Sequence, residues 1–205
     1  MEAVEVELRD GSRARVRPIE PDDRDALAAA FERLSDRSRY RRFLAATPRL
    51  TSTVLTYLTD VDHHDHEALV AFDEASGDIV AVGRFVREED DDAAAEAAIT
   101  VADDWQGRGL GTRLLELISD RAREEGIERF TATLLAENRE MLDLFDRLGP
   151  VRVVDRREGT IEIVAEIPPE GTGIDLREAL RVAARELLQL ARPLGARRPP
   201  PARRR

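Results

Sequence analysis

Apolar and polar residues alternate from Val4 to Leu8 and again from Arg13 to Arg17, with Asp10-Gly11 between the two runs. A period of two places one set of side chains on a single face of a strand, and glycine accepts the positive φ of a tight turn, so the pattern predicts a β-hairpin. The period then lengthens. Pro21 and the acids behind it suit a first helical turn, and Ala26, Leu27, Ala30, Phe31 and Leu34 form an apolar stripe at helical spacing. Shorter helices are predicted over Arg37 to Leu44, ahead of Pro48, and over Thr51 to Thr59.

The runs EALVAF and IVAVGRFV, joined by DEASGD, predict a second hairpin, and REEDDD, Arg87 to Asp92, reads as a solvated charged loop. EAAITV, Glu96 to Val101, reads as a strand. A strong helix follows, with Leu114, Leu115, Ile118 and Ala122 on one face and Gly126 as its stop. RFTATLL is the next strand. Asn138 then caps a helix carrying Met141, Leu142, Phe145 and Leu148, which Gly149 and Pro150 end. VRVVD and TIEIVAEI form a last hairpin around Glu158-Gly159. Four segments result: a main domain over 1–168, a linker over 169–173, an amphipathic helix over 174–192 and a Pro/Arg-rich tail over 193–205. Leu176, Leu180, Ala183, Leu187 and Leu190 give that helix its heptad spacing, and the tail's composition predicts disorder.

Between the strand at Glu96 to Val101 and the strong helix lies DDWQGRGLGTRLL, with Gly107, Gly109 and Gly111 at every second position. The first N–H groups of a helix have no partner inside it, and the helix dipole is positive there. Glycines remove the Cβ atoms that would keep a phosphate away, so a diphosphate is the natural guest. A tight turn without a ligand would need fewer glycines. A P-loop needs a lysine after its last glycine, and this chain has none: all 32 basic residues are arginine. A dinucleotide fingerprint is spaced G-x-G-x-x-G and opens a longer parallel sheet, so a nicotinamide site is a distant alternative.

Composition narrows the class further. The 205 residues suffice for one domain with a proper core. No apolar run approaches membrane-spanning length, and the N-terminus lacks the basic start and apolar stretch of a secretory signal. With no cysteine, disulfides and zinc–thiolate sites are excluded, as is a thioester formed on the enzyme, and a reducing cytoplasm is the default. A net charge of −10 argues against nucleic acid and suits a positively charged partner. All three histidines fall in DHHDHE, as His63, His64 and His66. No distant third ligand stands out, so a loop or groove wall is expected there rather than a metal site.

VADDWQGRGLGTRLL resembles the Q/R-x-x-G-x-G/A signature of the GNAT superfamily of acyl-CoA-dependent N-acetyltransferases, with Gln106, Gly109 and Gly111 at the signature positions. DGSRARVRPIEPDD resembles the family's opening strand and helix start. The segment from AAAEAAITV to ENREMLDLFDRLG is similar to the bacterial protein-lysine acetyltransferase (Pat-type) branch, so the resemblance covers roughly Val4 to Ile167. It implies an α/β (α+β) fold, a mixed sheet flanked by helices and splayed into a V after the fourth strand, with acetyl-CoA in the gap and no metal. The diphosphate would rest on the backbone N–H groups of Gln106, Gly107, Arg108, Gly109, Leu110, Gly111 and Thr112. The pantetheine arm would pair with the strand edge from Ile99 to Val101, the N–H near Val101 would polarise the thioester carbonyl, and Asn138 would reach the CoA arm while capping its helix.

A lysine amine, with a reference pKa of about 10.4, must lose a proton before it can attack. The resemblance assigns that task to Glu96, whose plain alternative is a solvated acid at a strand end. Many family members carry a tyrosine general acid where this chain has Phe145, and Tyr40 and Tyr57 are its only tyrosines. A thiolate leaving group, from a thiol of pKa near 8.5, needs little help. The expected activity is acetyl transfer from acetyl-CoA to a primary amine in a ternary complex, with a protein lysine favoured as acceptor. A polyamine or aminoglycoside is the rival acceptor, and a non-catalytic CoA-binding module the rival class. A monomer or a homodimer is expected, since a helix with two or three heptads packs on its own domain more often than on a partner's.

Overall fold

A computed structural model describes residues 1–45 and 49–169. Of the linker it includes only Pro169, so the amphipathic helix over 174–192 and the tail over 193–205 lie outside the described residues. The elements run β1 (Val4–Glu7), β2 (Arg13–Pro18), α1 (Arg24–Arg33), α2 (Asp36–Phe43), α3 (Ser52–Thr59), β3 (His66–Asp73), β4 (Ile79–Glu88), β5 (Asp91–Val101), α4 (Leu110–Glu124), β6 (Arg129–Leu135), α5 (Arg139–Asp146), β7 (Val151–Arg157) and β8 (Thr160–Glu166). The strands form one sheet in the order β1-β2-β3-β4-β5-β6-β8-β7. Only β5 and β6 are parallel, and α4 is the crossover between them. The predicted mixed α/β fold is the observed one.

Both faces of the sheet are covered. Along β3, Ala68 and Val70 enter a core with Ile19, Leu27 and Leu58, while Leu69 and Ala71 enter the larger core built on α4 and α5. That is why this strand reads as a continuous apolar run instead of an alternation. Helix α4 lies so close to β4 that a Cβ at Gly83 would come within 2.9 Å of Ile99 Cδ1 and Leu114 Cγ.

Three expectations change. The charged loop over Arg87 to Asp92 shrinks to a turn at Glu89-Asp90, and β5 begins at Asp91, well before Glu96. Cationic and hydroxyl partners make this possible: Arg129 pairs with Asp91, and Thr131 Oγ1 donates to Glu88 Oε1 at 2.6 Å. Arg87 Nε also donates to Asp65 Oδ1 at 2.6 Å. Glu96 therefore lies in the middle of its strand. Third, the split in the sheet follows the fifth strand, because the N-terminal hairpin contributes two strands ahead of β3.

Candidate active site

The β5–β6 ladder is short. Ala94 pairs with Arg129, Ala95 with Phe130 and Glu96 with Thr131, and no pairing continues beyond. β5 stays with β4 to Val101 while β6 stays with β8 to Leu135, so the strands diverge from Glu96 onward. Across the other edge, Ala102 N–H donates to Val80 O at 2.8 Å. Backbone polar groups alternate sides along a strand, so those of Val101 and Ile99 point away from β4 into the split. The two strand-edge residues singled out in the sequence thus have their hydrogen-bonding groups on the open side. The cleft has a volume of about 660 Å³, within the range of small-molecule sites. Exposed Glu96 stands on its wall at the last paired position.

The glycine loop closes one end of this cleft. Gly107 and Gly109 hold φ of +76° and +98°, a region that L side chains rarely adopt, and Gly109 is the N-cap of α4. Gly111 has ordinary helical angles, and a Cβ there would only touch Val101 and Leu144. The fold itself does not demand a glycine at that position, and the missing Cβ leaves the backbone there open to the cleft. Among the described residues, no intramolecular acceptor takes the N–H groups of Gly107 through Thr112. Unpaired amides at a helix N-terminus, on the floor of a cleft, fit an anionic diphosphate.

Side chains hold the loop in place. Gln106 Nε2 donates to Val101 O at 3.0 Å, tying the loop to the end of β5. The Arg108 guanidinium pairs with Asp10 at 3.0 Å, donates to Asp104 O at 2.6 Å and stacks 4.9 Å from the Trp105 ring centroid. Arg108 therefore offers a ligand its backbone N–H with its side chain already engaged, whereas the Gln106 N–H, expected among the diphosphate amides, already donates to Asp103 O at 3.4 Å as it closes the preceding turn. Asp103 accepts from Ser35 N (2.9 Å), Ser35 Oγ (2.7 Å) and Ser38 Oγ (2.8 Å), which fastens α2 to the loop. Burial pushes the Asp103 carboxyl up, and these hydrogen bonds outweigh it to leave the pKa below the usual value.

Asn138 is buried, and its Oδ1 accepts from Met141 N at 3.4 Å as the cap of α5. It also lines the cleft, so the capping and cleft roles coincide. Phe145 is buried on the cleft wall, and neither tyrosine lines the cleft. The histidines separate: His63 Nδ1 bonds Glu67 at 2.8 Å, His64 pairs with Glu125, and His66 Nε2 accepts from Arg84 at 3.0 Å. Among the described residues no three potential metal ligands converge.

Sequence reasoning missed two features. Arg9, in the turn of the first hairpin, has its Nε 3.5 Å from where a Gly109 Cβ would sit and lines the cleft. The cleft also does not share the acidity of the whole chain. Arg9, Arg41, Arg42 and Arg147 face Glu96, Glu140 and Asp143, so four positive groups meet three negative ones.

The acetyltransferase (GNAT) family model matches residues 26–149, more than half of the chain. The chain belongs to the GNAT family. Its relatives include acetyltransferase Pat of Mycolicibacterium smegmatis, 34% identical over 189 residues, which are 91% of this chain and 56% of that protein. The chain thus spans little more than half the length of that relative. Acetyltransferase PA5475 of Pseudomonas aeruginosa is 33% identical over 157 residues, covering 75% of this chain and 83% of that protein. The crystal structure of the GNAT domain of S. lividans PAT superposes with a TM-score of 0.74 at 35% identity, covering 80% of this chain and 97% of that one. The split sheet and glycine loop described above are therefore those of an acyl-CoA-dependent N-acyltransferase family. Among the described residues no helix is long and apolar enough to cross a membrane.

Proposed function

We propose that this GNAT domain transfers an acetyl group from acetyl-CoA to a primary amine, with a protein lysine as the favoured acceptor. The observation that carries the reading is the position of Glu96. It stands where β5 and β6 part, between an open strand edge and a cleft whose far end is lined by unpaired amides. Acetyl-CoA, when bound, supplies an activated thioester and a diphosphate anchor. The amides from Gly107 to Thr112 would hold the diphosphate, and Arg9 would place a positive charge beside them. The Val101 N–H and the Ile99 N–H and C=O would pair with the pantetheine arm, and Asn138 would approach it from the other wall. Glu96 accepts the proton of the attacking amine, directly or through water. No covalent enzyme intermediate is needed.

The lysine preference is supported by the Pat relatives, and Phe145 in place of a tyrosine favours the second reading, a non-catalytic CoA-binding module. Incubating a bacterial lysate with the protein and acetyl-CoA, followed by mass spectrometry of acetyl-lysine, separates the two. Acetylated lysines that vanish in Glu96→Gln support the enzyme. Tight CoA binding without any acetylated amine would falsify it and leave the module.

A further inference from the structure

Helix α2 carries several arginines, and their partners differ. Arg39 donates to Glu32 O at 2.7 Å, and Arg41 pairs with Glu140 at 2.7 Å. Arg42 is part-buried and makes no hydrogen bond or ion pair among the described residues. It borders two spaces at once. One is the cleft that holds Glu96. The other is a cavity of about 60 Å³ among Leu27, Phe31 and Leu58, which Arg84 also lines.

Arg84 is 6% exposed, and its guanidinium is spent on His66 Nε2 and Leu58 O, both at 3.0 Å. Neither acceptor carries a negative charge that could neutralise it. A buried cation is costly unless a counter-charge stands by, and guanidinium keeps its proton at neutral pH. Burial pushes both arginines down, Arg84 to about 9, and each is acted on by a charged neighbour: Arg84 is lowered further by Arg42, and Arg42 is raised by Glu96. So Arg42 has Glu96 as its nearby carboxylate while Arg84 adds a second positive charge beside it, and the proposed reaction needs that carboxylate for a proton. A bare amine entering here would meet net positive charge.

We propose that Arg42, backed by the fixed charge of Arg84, is an acceptor-binding residue, and that the acceptor carries a carboxylate close to its reacting amine. A guanidinium fork takes a carboxylate through two parallel hydrogen bonds, and a carboxylate there restores neutrality beside Glu96. The carboxylate has two sources: an acidic side chain next to a lysine in a protein, or the acid group of a small amino acid. The inference rests on the acetyltransferase reading above.

The test uses matched acceptors with the full chain and acetyl-CoA. One pair is a lysine peptide library with Glu or Gln beside the lysine. The other is Nα-acetyl-lysine against its amide. In the wild type, kcat/KM for the carboxylate member is expected to exceed that for its neutral partner about tenfold in at least one pair, and the pair that responds identifies the source. In Arg42→Met the ratio falls to near one, and Arg42→Lys retains part of it. Calorimetric binding of CoA to each variant reports that the fold is intact. Acetylation with equal ratios in wild type and Arg42→Met would sink the proposal while leaving the enzyme reading standing. The proposal fails equally if succinyl-CoA outruns acetyl-CoA only when Arg42 is present, because the carboxylate would then belong to the donor. No acetylation of any acceptor by a wild type that binds CoA would overturn the enzyme reading itself, and the inference with it.

Discussion

At the glycine end of the cleft the chemistry belongs to backbone N–H groups of consecutive residues, Gly107 to Thr112. At the other end it belongs to side chains drawn from separate elements, Arg42 of α2 and Glu96 of β5, with Arg84 of β4 beside Arg42 on a small neighbouring cavity. The first end relies on backbone amides laid bare by the absence of Cβ atoms, with Arg9 as a flanking charge. The second depends on charge and on burial at a distance in sequence. A diphosphate is the same in every acyl-CoA, so a short local motif suffices to hold it. The acceptor differs between enzymes, so its wall is assembled from long-range packing.

The comparison breaks most sharply at Glu96. Glu96→Gln should lower kcat by roughly 10²- to 10⁴-fold, the usual contribution of a general base, while CoA affinity measured by calorimetry stays put. If affinity falls in parallel, the two ends are not separable.

Acid should separate them next. Burial, together with the Arg84 charge, lowers the His66 pKa to about 4. Below its ordinary value of 6.5 the unfolded chain takes up a proton that folded His66 refuses. Stability is therefore lost progressively as pH falls from 6.5 towards 4, by on the order of 3 kcal/mol. Thermal melts across this range should show the slope, and His66→Gln should flatten it.

Gly109→Val probes the loop alone. Forcing a branched side chain to a φ of +98° costs roughly 1–2 kcal/mol and places methyl groups against Arg9. CoA affinity should drop about tenfold or more, with acceptor preference among productive complexes unchanged.

Arg9→Ala is the smallest change. It should raise KM for acetyl-CoA about threefold, the worth of one charge-assisted contact at an exposed site, and leave KM for acetyl-pantetheine, which lacks the diphosphate, where it was. Equal effects on both donors would remove Arg9 from the diphosphate end.

Much of the fold is legible residue by residue. The period-two runs of the hairpins, the stripe of α4 and the capping residues Asn138 and Gly126 all act within a few residues of themselves. The acidic stretch after Arg87 reads as a loop because its pairing partners, Arg129 and Thr131, lie some forty positions away in sequence. Asp103, with its bonds to Ser35 and Ser38, is equally silent: nothing local distinguishes it from Asp104. Gly83 resembles any glycine in a strand until α4 is seen lying against it.

The sequence by itself determined the row of bare amides at the start of α4, because spacing of glycines ahead of a helix is enough to expose them and orient their dipole. It also named Glu96 through a resemblance. Only the tertiary structure decided that β5 and β6 part at Glu96, that the acidic chain presents a cleft of mixed charge, and that Arg42 and Arg84 line one small cavity with no ion pair among the described residues. The reason is physical. Backbone geometry is fixed by neighbours along the chain, whereas charge balance in a cleft is fixed by whichever distant side chains the packing brings together.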